Sequence, residues 1–184
     1  MRVIAGTAKG TRLAPVPRGV RPVSDMAREG LFASVARRVP GARVLDLYAG
    51  TGALGIEALS RGAEGGVFVE RNGAALRAIR TNLDRTGLSG RAEVVSSDVL
   101  AFLRRNRNVG ERPDLVFVDP PYKVRAAEVD AALAELAARW LPEKGWTVVL
   151  TRAKRGYTPV IPVDWLAARR LEYGDTLVFL YREV

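Results

Sequence analysis

From Arg43 onward, short apolar segments alternate with longer segments in which apolar residues recur every three or four positions. Short apolar runs bounded by glycine, proline or charged residues predict strands, and the longer repeat predicts helices. The predicted strands are Arg43–Leu47, Gly66–Glu70, Glu93–Ser96, Asp114–Val118, Thr147–Thr151, Ala168–Tyr173 and Leu177–Arg182. The predicted helices are Ala53–Arg61, Gly73–Thr86, Val99–Arg105, Ala126–Ala138 and Val163–Ala167.

Strands and helices that alternate in this way are typical of a doubly wound α/β sheet. We therefore predict a Rossmann-like fold with a mostly parallel, seven-stranded sheet. The last two predicted strands meet at Gly174-Asp175, which is short enough for a hairpin turn. The last strand of the sheet should therefore run antiparallel to the others.

The chain before Arg43 follows a different pattern. Arg2–Ala5 and Arg12–Val16 resemble two short strands around a glycine-containing turn, which predicts a small β-hairpin. A linker rich in proline follows, and Ser24 is a typical N-cap for a helix that reaches about Arg38. We therefore divide the chain into a basic hairpin with its linker, residues 1–22, and an α/β domain, residues 23–184.

The chain contains no cysteine and no histidine. Disulfides, thiol nucleophiles, imidazole bases and metal sites built on either residue are therefore excluded. Any catalysis must depend on carboxylates, hydroxyls, backbone groups and bound cofactors, and we expect no metal. No apolar run is long enough to cross a bilayer, and the N-terminus has no signal-peptide core, so we expect a cytoplasmic protein without membrane contacts.

The net charge of +9 is concentrated near the N-terminus. Residues 1–43 contain nine basic and two acidic residues, whereas the rest of the chain is nearly balanced. A basic head on a nearly neutral body is the electrostatic pattern of a protein that binds a phosphate backbone. An arginine-rich composition with solvated side chains explains the charge equally well, so the charge alone does not decide between them.

A glycine-rich turn joins the first predicted strand to a helix. The segment Asp46–Gly55 contains the spacing G-x-G-x-x-G, and Glu70 lies twenty residues beyond Gly50, at the end of the next strand. This pattern matches a dinucleotide-binding loop in which the acidic residue holds a ribose. However, Asp46 precedes the glycines in the same turn, where a carboxylate would repel a pyrophosphate.

A ligand with an ammonium or a sulfonium group suits this carboxylate better. S-Adenosylmethionine carries both, together with a ribose for Glu70, and the glycines let its amino-acid end lie close to the backbone. Asp98, after the third predicted strand, could accept a hydrogen bond from the adenine amine. For Asp98, a role as the N-cap of the following helix is an equally good explanation. For Glu70, the alternative of a solvated acid at a strand end explains its position beside the glycine turn less well than a contact with the ribose does.

The sequence Asp119-Pro120-Pro121-Tyr122 follows the most apolar predicted strand. Ligands of open α/β sheets bind beyond the carboxyl ends of strands, where this segment lies. A nucleobase amine is a poor nucleophile because its lone pair is delocalised, and the carboxylate of Asp119 and the carbonyl of Pro120 can accept its two N–H groups. Tyr122 offers an aromatic face on which an extruded base can stack. The alternative is a rigid proline turn without a chemical role.

Four segments together resemble the RsmD family of class I S-adenosylmethionine-dependent amino-methyltransferases. They are Arg21–Asp25, Arg28-Glu29, Leu45–Gly62 and Asp119–Tyr122. The resemblance runs from about Arg2 to Tyr122 and is weak beyond Thr151. Val23, Tyr48 and Thr51 stand where the family usually has Thr, Phe and Ser. None of these departures affects a charged position.

The resemblance implies methylation of the N2 amine of a guanine, of the guanine-966 class, in bacterial small-subunit ribosomal RNA. The implied catalytic residues are Asp119, Pro120 and Tyr122. The cofactor site would consist of Asp46, Tyr48, Ala49, Gly50, Thr51, Gly52, Gly55, Glu70, Arg71, Asp98 and Val99. The RNA contacts would be Arg12, Arg18, Arg21, Arg28 and Lys123. The expected partner is ribosomal RNA or the small ribosomal subunit, bound by a monomer.

Other activities stay open at this point. An adenine-N6 methyltransferase or a protein-glutamine methyltransferase would use the same chemistry, but both favour Asn where this chain has Asp119. A nicotinamide oxidoreductase would leave the Asp-Pro-Pro-Tyr segment unexplained. A non-catalytic RNA-binding module would explain the basic head but neither the glycine turn nor Asp119.

Overall fold

The computed structural model describes residues 1–15, 23–105, 112–121 and 123–184, which form a seven-stranded sheet and five α-helices. The strands are β1 (Arg43–Leu47), β2 (Gly65–Glu70), β3 (Ala92–Ser96), β4 (Leu115–Val118), β5 (Thr147–Ala153), β6 (Trp165–Tyr173) and β7 (Thr176–Glu183). The helices are α1 (Asp25–Ser34), α2 (Ala53–Ser60), α3 (Gly73–Thr86), α4 (Val99–Arg105) and α5 (Ala126–Glu135).

The strand order is β3-β2-β1-β4-β5-β7-β6. Strands β1 to β5 pair in parallel, whereas β7 is inserted antiparallel between β5 and β6. The predicted Rossmann-like fold with an antiparallel last strand is therefore confirmed. The chain runs from β1 to β2 and β3 on one side and then crosses back to β4 on the other side of β1. Open α/β sheets bind their ligands at such a switch point.

Each face of the sheet is covered by helices. Helices α1, α2 and α3 pack on one face, and the ring of Phe32 lies 5.6 Å from that of Phe117 in β4. Helices α4 and α5 cover the other face, where Phe102 packs against Trp140. Burial of apolar side chains between helix and sheet stabilises the domain by about 1.5–3 kcal/mol for each large residue. No helix in the described ranges is long and apolar enough to cross a membrane.

The N-terminal segment forms only a minimal hairpin. Arg2 and Arg12 form an isolated antiparallel bridge, and the Val3 N–H donates to the carbonyl of Thr11. Val3 and Leu13 are buried in the same core as α1 and α2. Residues 1–15 therefore have no core of their own, and the predicted boundary after residue 22 falls outside the described residues.

The prediction of a helix over Val163–Ala167 is wrong, because β6 begins at Trp165. The ring of Trp165 lies 5.0 Å from Trp146 and 5.7 Å from Tyr181, so aromatic packing holds this segment on the sheet. A register shift between Ala167 and Arg169 disrupts the alternation that would have indicated a strand.

Two predicted helices are also shorter than expected. The α-helix that begins at Asp25 ends at Ser34 and is followed by a 3₁₀ turn, Ala36–Arg38. Helix α5 ends at Glu135 and continues as a π-helical turn, Leu136–Trp140. The Trp140 indole N–H donates to the carbonyl of Leu103 in α4, which fixes this turn against the neighbouring helix.

Candidate active site

A cavity of about 500 Å³ opens at the carboxyl ends of β1, β4 and β5. This volume is within the range of small-molecule sites. Its lining includes the turn after β1, the end of β2, the segment after β4 and the end of β5. The predicted cofactor residues that line it are Asp46, Tyr48, Ala49, Gly50, Thr51, Glu70 and Arg71. The sheet thus brings together residues that are far apart in the sequence.

The glycine turn has a backbone that few side chains tolerate. Gly50 and Gly52 have φ values of 58° and 76°, and Gly52 caps α2. A Cβ at Gly55 would lie 2.3 Å from the ring of Phe68, so α2 can approach β2 only with glycine there. Gly52 and Gly55 therefore shape the turn without lining the cavity. Tyr48 also has a positive φ, 60°, which is uncommon for a residue with a side chain.

Asp46 lies buried at the floor of this turn. Its Oδ2 accepts a hydrogen bond of 2.9 Å from the Gly55 N–H. Burial raises the pKa of Asp46 well above its ordinary value; the Gly55 N–H opposes this shift, and the charges of Asp119 and Glu70 add to it. Three carboxylates thus converge on one cavity, which favours a cationic ligand.

Glu70 is held by the backbone of two loops. Its Oε2 accepts from the Gly50 N–H at 2.9 Å, and its Oε1 accepts from the N–H groups of Arg71 and Asn72 at 2.8 Å each. An ionised carboxylate has about four acceptor positions, so it retains capacity for a ligand hydroxyl. Because it lines the cavity, Glu70 is not simply a solvated strand-end acid.

Asp98 and Val99 line a smaller cavity of about 40 Å³ that shares Tyr48, Glu70 and Arg71 with the larger one. Asp98 Oδ1 accepts from the N–H groups of Leu100 and Ala101, so Asp98 caps α4. These contacts support the explanation of Asp98 as the N-cap of α4. A contact with adenine stays a prediction.

The segment after β4 carries the predicted catalytic residues. The Asp119 N–H donates to the carbonyl of Leu47 in β1, and the Thr151 hydroxyl in β5 donates to Asp119 Oδ1. Asp119, Pro120 and Lys123 line the cavity. The carboxylate is therefore fixed from two neighbouring strands beside the glycine turn. Tyr122 lies outside the described residues.

Thr151 and Arg152 were missed by the sequence analysis. Both are buried and line the cavity at the end of β5. The available indication was their position, because they are polar residues that directly follow the apolar run Thr147–Leu150, and ligands lie beyond such strand ends.

The predicted RNA contacts separate into exposed and buried groups. Arg12 and Lys123 are exposed, and Arg18 and Arg21 lie outside the described residues. Arg28, however, has no exposed side-chain surface. Its Nη2 donates to Asp25 Oδ1 at 2.8 Å and to the carbonyl of Arg2 at 2.6 Å. The assignment of Arg28 to RNA is therefore corrected, because a phosphate cannot reach a side chain that is buried in the core.

The fold, the cavity at its switch point and the match to a solved structure together place the protein among Rossmann-like methyltransferases. The solved structure described as a putative methyltransferase yhhF from Escherichia coli superposes with a TM-score of 0.86 at 32% identity. The match covers 100% of this chain and 98% of the other. Among the described residues, no group of three or more acidic side chains is arranged to bind a metal ion.

The family model described as Conserved hypothetical protein 95 matches residues 1–182, and the chain belongs to this family, which confirms the resemblance to the RsmD family. The chain is 36% identical to the Ribosomal RNA small subunit methyltransferase D of Escherichia coli, over 99% of this chain and 89% of that protein. It is 34% identical to the Putative rRNA methyltransferase YlbH of Bacillus subtilis, over 100% and 99%. The similarity therefore continues beyond Thr151, where the sequence analysis had found it weak.

Proposed function

We propose that the protein transfers the methyl group of S-adenosylmethionine to the N2 amine of a guanine in small-subunit ribosomal RNA. The observation that best supports this is the position of Asp119, which Thr151 holds at the wall of the cavity formed by Asp46 and Glu70. The names of the two relatives support ribosomal RNA as the substrate class. The Asp119 segment supports an exocyclic amine of a nucleobase as the methyl acceptor, and the choice of the guanine N2 amine rests on the resemblance to the RsmD family.

The cavity fits S-adenosylmethionine in its charges. Asp46 provides a buried carboxylate for the ammonium and sulfonium groups, and Glu70 provides an acceptor for the ribose hydroxyls. The smaller cavity beside Asp98 and Val99 suits the edge of the adenine. When bound, the cofactor would supply an electrophilic methyl group and leave as S-adenosylhomocysteine, while the methylated amine would lose one proton to solvent. The protein itself then needs only to orient the acceptor amine and stabilise the charge that develops on it.

Asp119 and Pro120 perform that second task. A carboxylate that accepts one N–H of the amine, and a carbonyl that accepts the other, pull the nitrogen towards a tetrahedral geometry and localise its lone pair. Pro120 has no N–H that could compete for the amine. The negative charge of Asp119 also stabilises the positive charge on nitrogen as the new bond forms, and fixed charges of this kind are effective because they need no reorganisation.

The test is single-turnover transfer of a labelled methyl group to small-subunit ribosomal RNA, followed by nucleoside analysis. We expect N2-methylguanosine as the product. N6-methyladenosine would show that the substrate assignment is wrong and that the adenine alternative is correct. Absence of any labelled nucleoside, with both naked RNA and assembled subunits supplied, would contradict the proposed activity itself.

Cofactor binding should release a proton from Asp46. Below its raised pKa this carboxyl is protonated, and a cationic ligand favours its ionised form, so affinity should increase with pH until the pH exceeds that pKa. Titration calorimetry in two buffers of different ionisation enthalpy measures the released protons. Asp46→Asn should remove the release, whereas Asp84→Asn, an exposed acid on α3, should leave it unchanged. Equal proton release by wild type and Asp46→Asn would refute this assignment.

The exposed cations of the N-terminal segment are Arg2, Lys9 and Arg12, and we propose that they contact RNA phosphates. Each lost contact should reduce the slope of log affinity against log salt by about 0.7 for single-stranded RNA. The variant Lys9→Ala/Arg12→Ala therefore should bind RNA more weakly and with a shallower slope. Arg85→Ala, at the end of α3, is the matched control. A slope unchanged in the double variant would show that the charge is compositional.

A further inference from the structure

Arg152 differs from the other cations of the cavity. Arg71, Lys123 and Arg125 also line the cavity, but all three are exposed. Arg152 is only 9% exposed, and its Nε and Nη1 atoms are buried without a hydrogen-bond partner among the described residues. An arginine is always charged, and a buried guanidinium without partners is costly. The wall of the cavity therefore contains donors that a ligand could satisfy.

The position of this guanidinium is fixed by its surroundings. Its carbon lies 4.7 Å from the ring centroid of Tyr157. The Tyr157 hydroxyl donates to Asp130 Oδ1 and lies 2.9 Å from the carbonyl of Ala126, so the ring is anchored to α5. The face of an aromatic ring attracts a cation electrostatically but does not act as a conventional hydrogen-bond acceptor for its N–H groups. Tyr157 thus orients the guanidinium and leaves its donors available.

A buried arginine with a purely structural role looks different in this protein. Arg28 is equally buried, and its Nε and Nη1 atoms also lack a hydrogen-bond partner, but two carboxylates balance its charge. Its Nη2 donates to Asp25 and to the carbonyl of Arg2, and its Nη1 lies 3.8 Å from Glu57. Arg152 has no carboxylate partner among the described residues. The contrast indicates that the partner of Arg152 is a molecule that enters the cavity.

The position of Arg152 along the sheet indicates which part of the substrate it meets. Val118 of β4 is paired with Leu150 of β5, so Asp119 lies beside Thr151, and Arg152 is one residue further along. In guanine, C2 carries the N2 amine, C6 carries O6 two ring positions away, and N7 lies beyond O6. A guanine whose N2 amine is held at Asp119 therefore directs O6 and N7 away from that carboxylate. Arginine donates two parallel hydrogen bonds to O6 and N7 of guanine better than to any other base.

We propose that Arg152 is the specificity-determining residue that donates to O6 and N7 of the target guanine. This inference rests on the proposed function and extends it from the methylated amine to the O6 and N7 atoms of the base. An adenine at the same position would direct its own amine towards the guanidinium and leave those buried donors unpaired. A site whose buried polar groups hydrogen-bond one substrate discriminates against an analogue that lacks the matching acceptor or donor.

The experiment compares guanine with 2-aminopurine, which retains the N2 amine and lacks O6. Both are placed at the methylated position of the same ribosomal RNA fragment, once that position has been mapped. For wild type, we expect kcat/KM to be roughly 10- to 100-fold higher with guanine. Arg152→Ala should reduce this ratio to nearly one, because methylation of guanine slows and methylation of 2-aminopurine does not. Arg152→Lys, which keeps the charge but not the two parallel donors, should give an intermediate ratio.

Controls separate this role from a structural one. Arg152→Gln keeps the polar stem of the side chain as far as the position of Nε and serves if the alanine variant does not fold. Thermal unfolding and calorimetric cofactor affinity are measured for each variant. Arg125→Ala removes an exposed cation of the same cavity and should leave the ratio of the two substrates unchanged. An equal loss of rate on both bases, or no preference for guanine in wild type, would overturn the inference. Either result leaves the proposed methylation of guanine standing, because that is read from the product nucleoside.

Discussion

Replacement of Asp119 by alanine should lower the rate of methyl transfer by roughly 10²- to 10³-fold, the usual effect of losing one preorganised charge at a reacting centre. The carboxylate interacts most strongly with the amine in the transition state, when positive charge has developed on nitrogen. Its removal should therefore lower kcat. Cofactor affinity should not fall with it. The charge of Asp119 is one of the causes of the raised pKa of Asp46, so its removal makes Asp46 easier to ionise. This gain offsets the loss of one negative charge from the cavity.

Asp119→Asn distinguishes the two contributions of the carboxylate. The amide keeps one acceptor oxygen but loses the negative charge, so the variant should be faster than alanine and slower than wild type. The quantity to measure is the single-turnover rate at saturating cofactor, with the dissociation constant of the cofactor determined separately by calorimetry. A wild-type rate in Asp119→Ala would contradict the mechanism. A rate loss that saturating cofactor restores would assign Asp119 to cofactor binding instead.

Thr151 is the positioning residue for this carboxylate. Thr151→Val keeps the shape of the side chain but removes the hydroxyl that donates to Asp119 Oδ1, and Thr151→Ser restores that donor. A positioning role predicts that the valine variant loses rate at unchanged cofactor affinity and that the serine variant recovers it. If valine and serine variants were equally slow, the methyl group of Thr151 rather than its hydroxyl would be responsible.

The strands and helices that carry the cofactor loop were predictable because local pattern and tertiary structure agree there. In the run Arg43–Leu47, Val44 packs on one face of the sheet and Leu45 and Leu47 pack on the other. Asn72, whose side chain caps α3, marks the start of that helix. Trp165 shows the limit of this reasoning. Strand β6 lies at the edge of the sheet, and most of its residues are exposed. Because of this exposure and of the register shift between Ala167 and Arg169, its sequence does not alternate between apolar and polar residues as a half-buried strand does.

The residues of the site were predictable where one segment carries several of them in a fixed spacing. Asp46 and the glycines share one turn, and Asp119 and Pro120 share another. Thr151 and Arg152 join the site only through strand pairing between β4 and β5, which a local pattern does not reveal. Charge was similarly ambiguous, because a sequence does not distinguish the exposed Arg12 from the buried Arg28.

Arg28 belongs to a charge cluster that fixes the N-terminal segment, and Glu57 is its central acid. Glu57 is fully buried in α2, and its two oxygens accept from the N–H groups of Ile4 and Ala5 at 2.8 and 3.0 Å. Oε1 also accepts from Arg61 Nε at 2.7 Å. Glu57 therefore satisfies two backbone donors of the N-terminal segment, and together with Asp25 it balances the charges of Arg28 and Arg61.

Glu57→Gln should destabilise the protein by about 3–5 kcal/mol, because loss of one partner leaves buried cationic charge uncompensated. For a domain of this size, that corresponds to a decrease in Tm of roughly 6–20 °C. Calorimetric unfolding measures it. Glu64→Gln is the matched control, since Glu64 is 62% exposed and pairs with Arg43 at 3.5 Å. An exposed pair of this kind contributes about 0–1 kcal/mol, so the control should unfold close to wild type.

The cluster also makes a prediction about coupling. If the loss in Glu57→Gln arises from the uncompensated charge of Arg28, then Arg28→Met should cost much less in the Glu57→Gln background than in wild type. Contacting residues commonly show coupling of about 0.5–3 kcal/mol in such a cycle. Strict additivity of the two substitutions would mean that Glu57 acts through Arg61 and the N–H groups of Ile4 and Ala5, independently of Arg28. In that case the hydrogen bonds from the backbone N–H groups of Ile4 and Ala5 to Glu57 would hold the N-terminal segment in place. Arg28 would lie beside Glu57 without contributing to that attachment.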